Sequence, residues 1–148
     1  MDMQTDISIL LSPILRDDPP YVIVSLDDTV LFDGILEENN CVLNSTELPI
    51  GKHIITVTFN NKADDEQEKA VIIKNVQFFG IDSDSIRDTG IYTPCYPAQY
   101  ALDNHTVPNP QTYGYMGWNG VWDLAFEVPV FHWIHKVEQL GWVYPSDV

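Results

Sequence analysis

A chain of 148 residues with 22 acidic side chains against seven lysines and arginines carries a formal charge of −15. That balance excludes nucleic acid and anionic membrane surfaces as partners, because both are bound by clustered basic side chains. The length suits a single domain that buries roughly two-thirds of its unfolded surface, and a hydrophobic content of 45% is too high for a disordered chain. No apolar run reaches the ~20 residues of a membrane span. The start, Met1-Asp2-Met3-Gln4-Thr5-Asp6, has neither the basic region nor the apolar core of a secretion signal. Synthesis in a cytosol is therefore expected, and divalent cations, basic proteins and neutral sugars stay open as partners.

Asp6–Leu15 is aliphatic and weakly alternating, which predicts a first strand or an arm that packs on a neighbour; Pro19-Pro20 ends it. Tyr21–Leu26 and Thr29–Phe32 predict a hairpin turning at Asp27-Asp28, and Asp33-Gly34 marks the next turn. Cys41–Leu48 and Lys52–Phe59 follow as strands separated by Pro49-Ile50-Gly51. Ile54–Phe59 and Ala70–Phe79 are rich in β-branched and aromatic residues and flank an acidic turn, so they are expected to pair as a hairpin. Turns spaced about ten residues apart have the rhythm of an antiparallel β-sandwich of jelly-roll type. Asp82–Pro110 predicts long ordered loops with short strands near Ile91–Tyr92 and Gln99–Leu102. Val121–Val128 predicts a half-buried strand, and Pro129–Leu140 one short C-terminal helix stopped by Gly141.

The expected organisation is one domain over 1–148. It comprises an N-terminal strand or arm (1–20), a sandwich core (21–81), long loops (82–120), and a closing strand, helix and tail (121–148). Cys41 and Cys95 form no C-x-x-C pair and are expected as small buried or half-buried side chains.

Asn60-Asn61-Lys62-Ala63-Asp64-Asp65-Glu66 concentrates hard oxygen donors between two strands. Asn61, Asp64 and Asp65 are candidate calcium ligands, with a solvated polar turn as the alternative. The order Phe59-Asn60-Asn61, acidic turn, Glu68-Lys69, strand and Gly80 resembles the C-terminal hairpin of calcium-dependent xylan-binding-type carbohydrate modules over residues 21–81. That resemblance implies a β-sandwich, a bound calcium ion and a sugar ligand. Asn61 stands where the family has Asp, and Glu68-Lys69 where it has Asp-Arg.

Asp82–Asp88 begins like an EF-hand loop, but Arg87 occupies the position of the required glycine, so it reads as a carboxylate pair holding a loop. His132, His135 and Glu138 lie three apart on the predicted helix; they are candidate metal ligands or one polar face, and they lack the His-Glu-x-x-His order of a zinc protease.

In Tyr113–Trp122 glycines separate aromatic rings. Tyr113, Tyr115, Trp118, Asn119 and Trp122 are candidates for partner or sugar contact, the alternative being rings that cap the core. No phosphate loop, nucleophile elbow or kinase signature is present, so no enzyme is expected. Gly117-Trp118-Asn119-Gly120-Val121-Trp122, continuing through Phe126-Glu127-Val128-Pro129-Val130-Phe131, is similar in texture to accessory virion proteins of tailed bacteriophages. That second resemblance implies a leaderless, non-catalytic structural component of a capsid decoration, neck, baseplate or fibre. Such a protein would be made in the host cytoplasm and assemble with itself or other virion proteins, with no cofactor. The alternative expectation is a calcium-assisted carbohydrate-binding module using Asn61, Asp64, Asp65 and the same rings.

Overall fold

A computed structural model of the chain describes residues 2–14, 18–63, 69–82, 84–104 and 106–138. Its strands are β1 (Asp2–Ile14), β2 (Tyr21–Leu26), β3 (Thr29–Ile35), β4 (Asn40–Pro49), β5 (Gly51–Phe59), β6 (Ala70–Phe78), β7 (Ile81–Asp82), β8 (Ile91–Pro94), β9 (Tyr115–Met116) and β10 (Gly120–Val128). Its helices are α1 (Asp84–Asp88), α2 (Ala98–Asn104) and α3 (Val130–Glu138). The strands form two five-stranded antiparallel sheets. One runs β4-β1-β6-β7, with β9 also paired to β6, and the other runs β3-β2-β5-β10-β8.

Period-2 alternation supplies the two inner faces. Ile7, Ile9 and Leu11 of β1 are buried while Gln4 and Asp6 face out. Val22, Val24 and Leu26 of β2, Ile55, Val57 and Phe59 of β5, and Trp122, Leu124, Phe126 and Val128 of β10 meet them in one core. The pairing of β1 with β6 slips between Leu10 and Leu11, whose partners are Asn75 and Ile73. Lys74 is the extra residue of a β-bulge and is exposed. The antiparallel sandwich with a short C-terminal helix is thus the fold expected from the sequence.

Four details differ from expectation. First, β5 and β6 do not form a hairpin. β5 is flanked by β2 and β10 in one sheet and β6 by β1, β7 and β9 in the other, so the chain between them crosses the sandwich. Alternation specifies which face of a strand is buried, but not which strand lies beside it. Second, Asp33-Gly34 continues β3, pairing with Ile23 and Val22, and the Tyr21 hydroxyl donates to the Asp33 carboxylate. Third, Gln99–Leu102 lies in α2, and Asp84–Asp88 closes into α1 with the Arg87 Nε 3.0 Å from Asp88 Oδ1. Fourth, both cysteines are exposed; of the two readings of the N-terminal segment, the strand holds and the arm does not, because β1 pairs with β4 and β6 of its own chain.

α3 closes one end of the core. Val130, Trp133 and Ile134 are buried, and the Trp133 ring stands edge-on to Phe78 at 5.5 Å and to Phe126 at 6.2 Å between centroids. Leu140 and Gly141 lie outside the described residues. Among those described, no helix is long and apolar enough to cross a membrane.

Candidate functional site

At the other end of β10, loops from three parts of the chain converge on Tyr92. This side chain points inward from β8, and its hydroxyl does two jobs. It donates to the Trp118 carbonyl at 2.5 Å and accepts from the Trp118 N–H at 3.0 Å. Burial raises the phenol pKa far above its ordinary value, so the hydroxyl keeps its proton. Asn109 fixes the strand from behind, its amide donating to the Tyr92 carbonyl at 3.1 Å and to Thr93 Oγ1 at 2.9 Å.

A second clamp joins this loop to the acidic turn. The Asn119 carboxamide imitates a backbone unit: Oδ1 accepts from Lys62 N at 2.8 Å and Nδ2 donates to Lys62 O at 2.7 Å. The buried Lys62 ammonium donates to the Gly117 carbonyl at 2.6 Å and stands 4.1 Å from the centroid of the Trp118 ring, a cation–π contact. The two regions singled out in the sequence, the turn after β5 and the aromatic stretch before β10, are therefore brought together.

Trp118 begins a row of rings. Its centroid is 4.9 Å from that of Tyr100, which in turn stacks on Tyr96 at 5.5 Å and 17°. Tyr100 is exposed, and Tyr115 lies exposed beside the row, its ring against Gly117. Tyr113 is 61% exposed at the tip of the turn that leads into β9. Two of the anticipated contact residues serve other ends. Trp122 is only 2% exposed, because alternation along β10 puts it on the same inner face as Leu124 and Phe126. Asn119 holds the loop, with one bond of its amide nitrogen and one of its amide oxygen spent on the Lys62 backbone.

Tyr92, Tyr96, Tyr100 and Lys62 were not anticipated. Tyr100 lies in α2 and Tyr96 two residues ahead of its start, and Gln99–Leu102 was read as extended chain.

The described residues of the acidic turn do not by themselves make a calcium site. Asn61 Oδ1 accepts from Tyr21 N at 2.8 Å, its Nδ2 donates to Pro19 O at 3.1 Å, and the buried Lys69 ammonium lies 3.1 Å from its carbonyl oxygen. Lys69 also pairs with Asp18 at 2.8 Å. A dication beside that ammonium would be repelled. Asp64 and Asp65 lie outside the described residues. No group of three or more His, Cys, Asp or Glu among the described residues is placed to hold a metal ion, His132, His135 and Glu138 included.

No family model and no curated protein sequence matches the chain. Two solved structures share its fold. The carbohydrate-binding module vCBM60 in complex with galactobiose aligns with a TM-score of 0.52 at 12% identity, covering 80% of this chain and 96% of its own. A selenomethionine form of vCBM60 aligns at the same TM-score and 14% identity, covering 81% and 89%. The latter is described as linking two families of calcium-dependent carbohydrate-binding modules by circular permutation. At such identities the likeness establishes the fold and nothing finer.

Proposed function

We propose that this chain is a non-catalytic carbohydrate-binding module that holds a neutral sugar against the row Tyr96, Tyr100 and Trp118. The observation that carries the reading is a partly exposed aromatic row whose Trp118 is held through its backbone by the Tyr92 hydroxyl and through its ring by the Lys62 ammonium. A fixed ring presents an apolar face to the C–H face of a sugar at little cost in ordering. The carbohydrate-binding modules with the same fold support this choice of ligand. A net charge of −15 disfavours acidic glycans. Nothing in the fold or the comparisons supports the virion role expected from the aromatic tail, and the interior position of β1 removes one of its proposed contact surfaces.

Calcium enters this reading only through Asp64 and Asp65. The test is a screen of immobilised neutral glycans with calcium and with EDTA, followed by calorimetry on the best ligand. Trp118→Ala is expected to lose about 2 kcal/mol of binding, roughly 30-fold, with the fold intact. Loss of binding in EDTA would add an ion at Asp64 and Asp65; retention would leave the rings as the whole basis of affinity. A blank screen in both conditions would overturn the proposal.

A further inference from the structure

A cleft of about 520 Å³ crosses the outer face of the β4-β1-β6 sheet, far from the aromatic row. That volume falls in the roughly 300–1,000 Å³ range of small-ligand sites. Its floor is made by outward side chains of three adjacent strands in register: Asp6 opposite Ser45, and Ser8 opposite both Leu43 and Gln77. Phe79 forms one wall, backed by Phe131, whose ring stacks on it at 4.9 Å and 24°. Leu43, 74% exposed, lines the cleft from the far edge.

The polar floor is ordered but not used up. Ser45 donates to Asp6 Oδ1 at 2.6 Å, and the Gln4 amide donates to the same oxygen at 3.2 Å and to Ser45 Oγ at 2.5 Å. These bonds hold the carboxylate in place, and no bond to its second oxygen falls among them. The Gln77 carboxamide makes no side-chain hydrogen bond among the described residues. A carboxylate acceptor, a carboxamide that donates and accepts, and the Ser8 hydroxyl, which also meets Cys41 Sγ at 3.0 Å and keeps acceptor capacity beyond that contact, together match a ligand whose groups also do both. No lysine, arginine or histidine lines the cleft, so an anion is unsuited. A bare cation would leave the amide donor and the ring without work.

Phe79 adds a separate observation. It is the first central residue of the two-residue turn from β6 to β7, with φ 55° before Gly80 at φ 77°. Turns with both central residues at positive φ favour Asn-Gly, and a bulky aromatic there is strained by about 1–2 kcal/mol. The Phe79 N–H is tied to the Asp6 carbonyl at 2.9 Å, so the strained residue and the carboxylate are positioned as one unit. Strained backbone of this kind clusters at ligand-binding and active sites.

We infer that this cleft is a second carbohydrate site, taking a neutral oligosaccharide whose hydroxyls meet Asp6, Ser8 and Gln77 and whose C–H face lies on Phe79. It goes beyond the aromatic row and does not depend on it. No residue lines both sites: the cleft is built on the β4-β1-β6 sheet, whereas Trp118 leads into β10 of the other sheet.

The test is titration of the ¹⁵N-labelled chain with a panel of neutral oligosaccharides that includes galactobiose and xylotetraose, in the wild type, Trp118→Ala, Gln77→Ala and Phe79→Asn. Expected are shifts of the Gln77 side-chain amide and the Ser8 and Ser45 backbone amides that persist in Trp118→Ala. Affinity at these signals should fall at least tenfold in Gln77→Ala and in Phe79→Asn, where asparagine suits the turn and the dispersed spectrum reports an intact fold. Shifts confined to residues 96–119 would overturn the cleft and leave the aromatic row standing. Cleft shifts that survive Gln77→Ala and Phe79→Asn unchanged, or no cleft shift with any sugar, would also overturn it.

Discussion

His53 shows how much one side chain can encode. Its Nδ1 lies 2.7 Å from Asp27 Oδ2 and its Nε2 2.7 Å from the Pro49 carbonyl oxygen, so both ring nitrogens face acceptors. A neutral imidazole carries one N–H and can serve only one of them; the imidazolium serves both. Burial pushes the pKa down, but the Asp27 hydrogen bond, the Pro49 carbonyl and the Asp27 charge outweigh it and leave the group above its ordinary 6.5. A pKa raised on folding contributes stability that is complete below the unfolded value and is lost as pH climbs through the folded one. The melting temperature of the wild type should therefore exceed that of His53→Gln most at about pH 6 and converge on it at alkaline pH. A gap independent of pH would show the ring to be neutral throughout. In the sequence His53 was only an inward position of a strand, because its partner sits 26 residues away. Tyr92 was hidden for the same reason: its value lies in Trp118, 26 residues on.

At the level of elements, alternation made the strands legible, and the errors fell where pairing or packing rather than periodicity decides. β5 has an inward row of His53, Ile55, Val57 and Phe59, and β6 an inward row that ends in Val76 and Phe78. Both patterns satisfy a hairpin and a crossover equally, and only the prior claim of β10 on the free edge of β5 settles the matter. α2 escaped notice because its seven residues carry little apolar periodicity. The packing of β8 on β10 offers a direct test. A Cβ on Gly90 would stand 2.2 Å from the Trp122 ring, and overpacking of this kind costs about 1–3 kcal/mol. Gly90→Ala is expected to lower the melting temperature by roughly 2–10 °C; an unchanged melting curve would mean that the indole has room to move. Two turns carry the opposite message. Phe79-Gly80 and Tyr113-Gly114 both place an aromatic ring at positive φ, a choice that local backbone preference does not explain and that periodicity cannot detect.

For the molecule as a whole, composition argued against partner classes and named no ligand. The charge of −15 argued against nucleic acid and anionic membranes, and three of the described cations are each engaged within the chain. Lys69 is placed against Asp18 and the Asn61 carbonyl, Lys62 against a ring and a carbonyl, and Arg87 against Asp88. The candidate aromatic row was half legible. Trp118 stood out among glycines, whereas Tyr100 meets it only because α2 lies beside it, with Tyr96 stacked on Tyr100 from just ahead of the helix.

The ten residues of β4 form an outer edge of their sheet, paired to β1 on one side. An unpaired edge of that length is a template for another strand, and natural proteins discourage such contacts with charge. Viewed as a colloid, each particle is then kept from its neighbours by its own field, which reaches ~30 Å at 0.01 M salt and only ~3 Å at 1 M. Sedimentation velocity should accordingly report a single slow species in dilute buffer and faster-sedimenting species as salt is raised. Profiles indifferent to ionic strength would mean that the edge is blocked by its own geometry, and that the acidity of this chain has some other purpose.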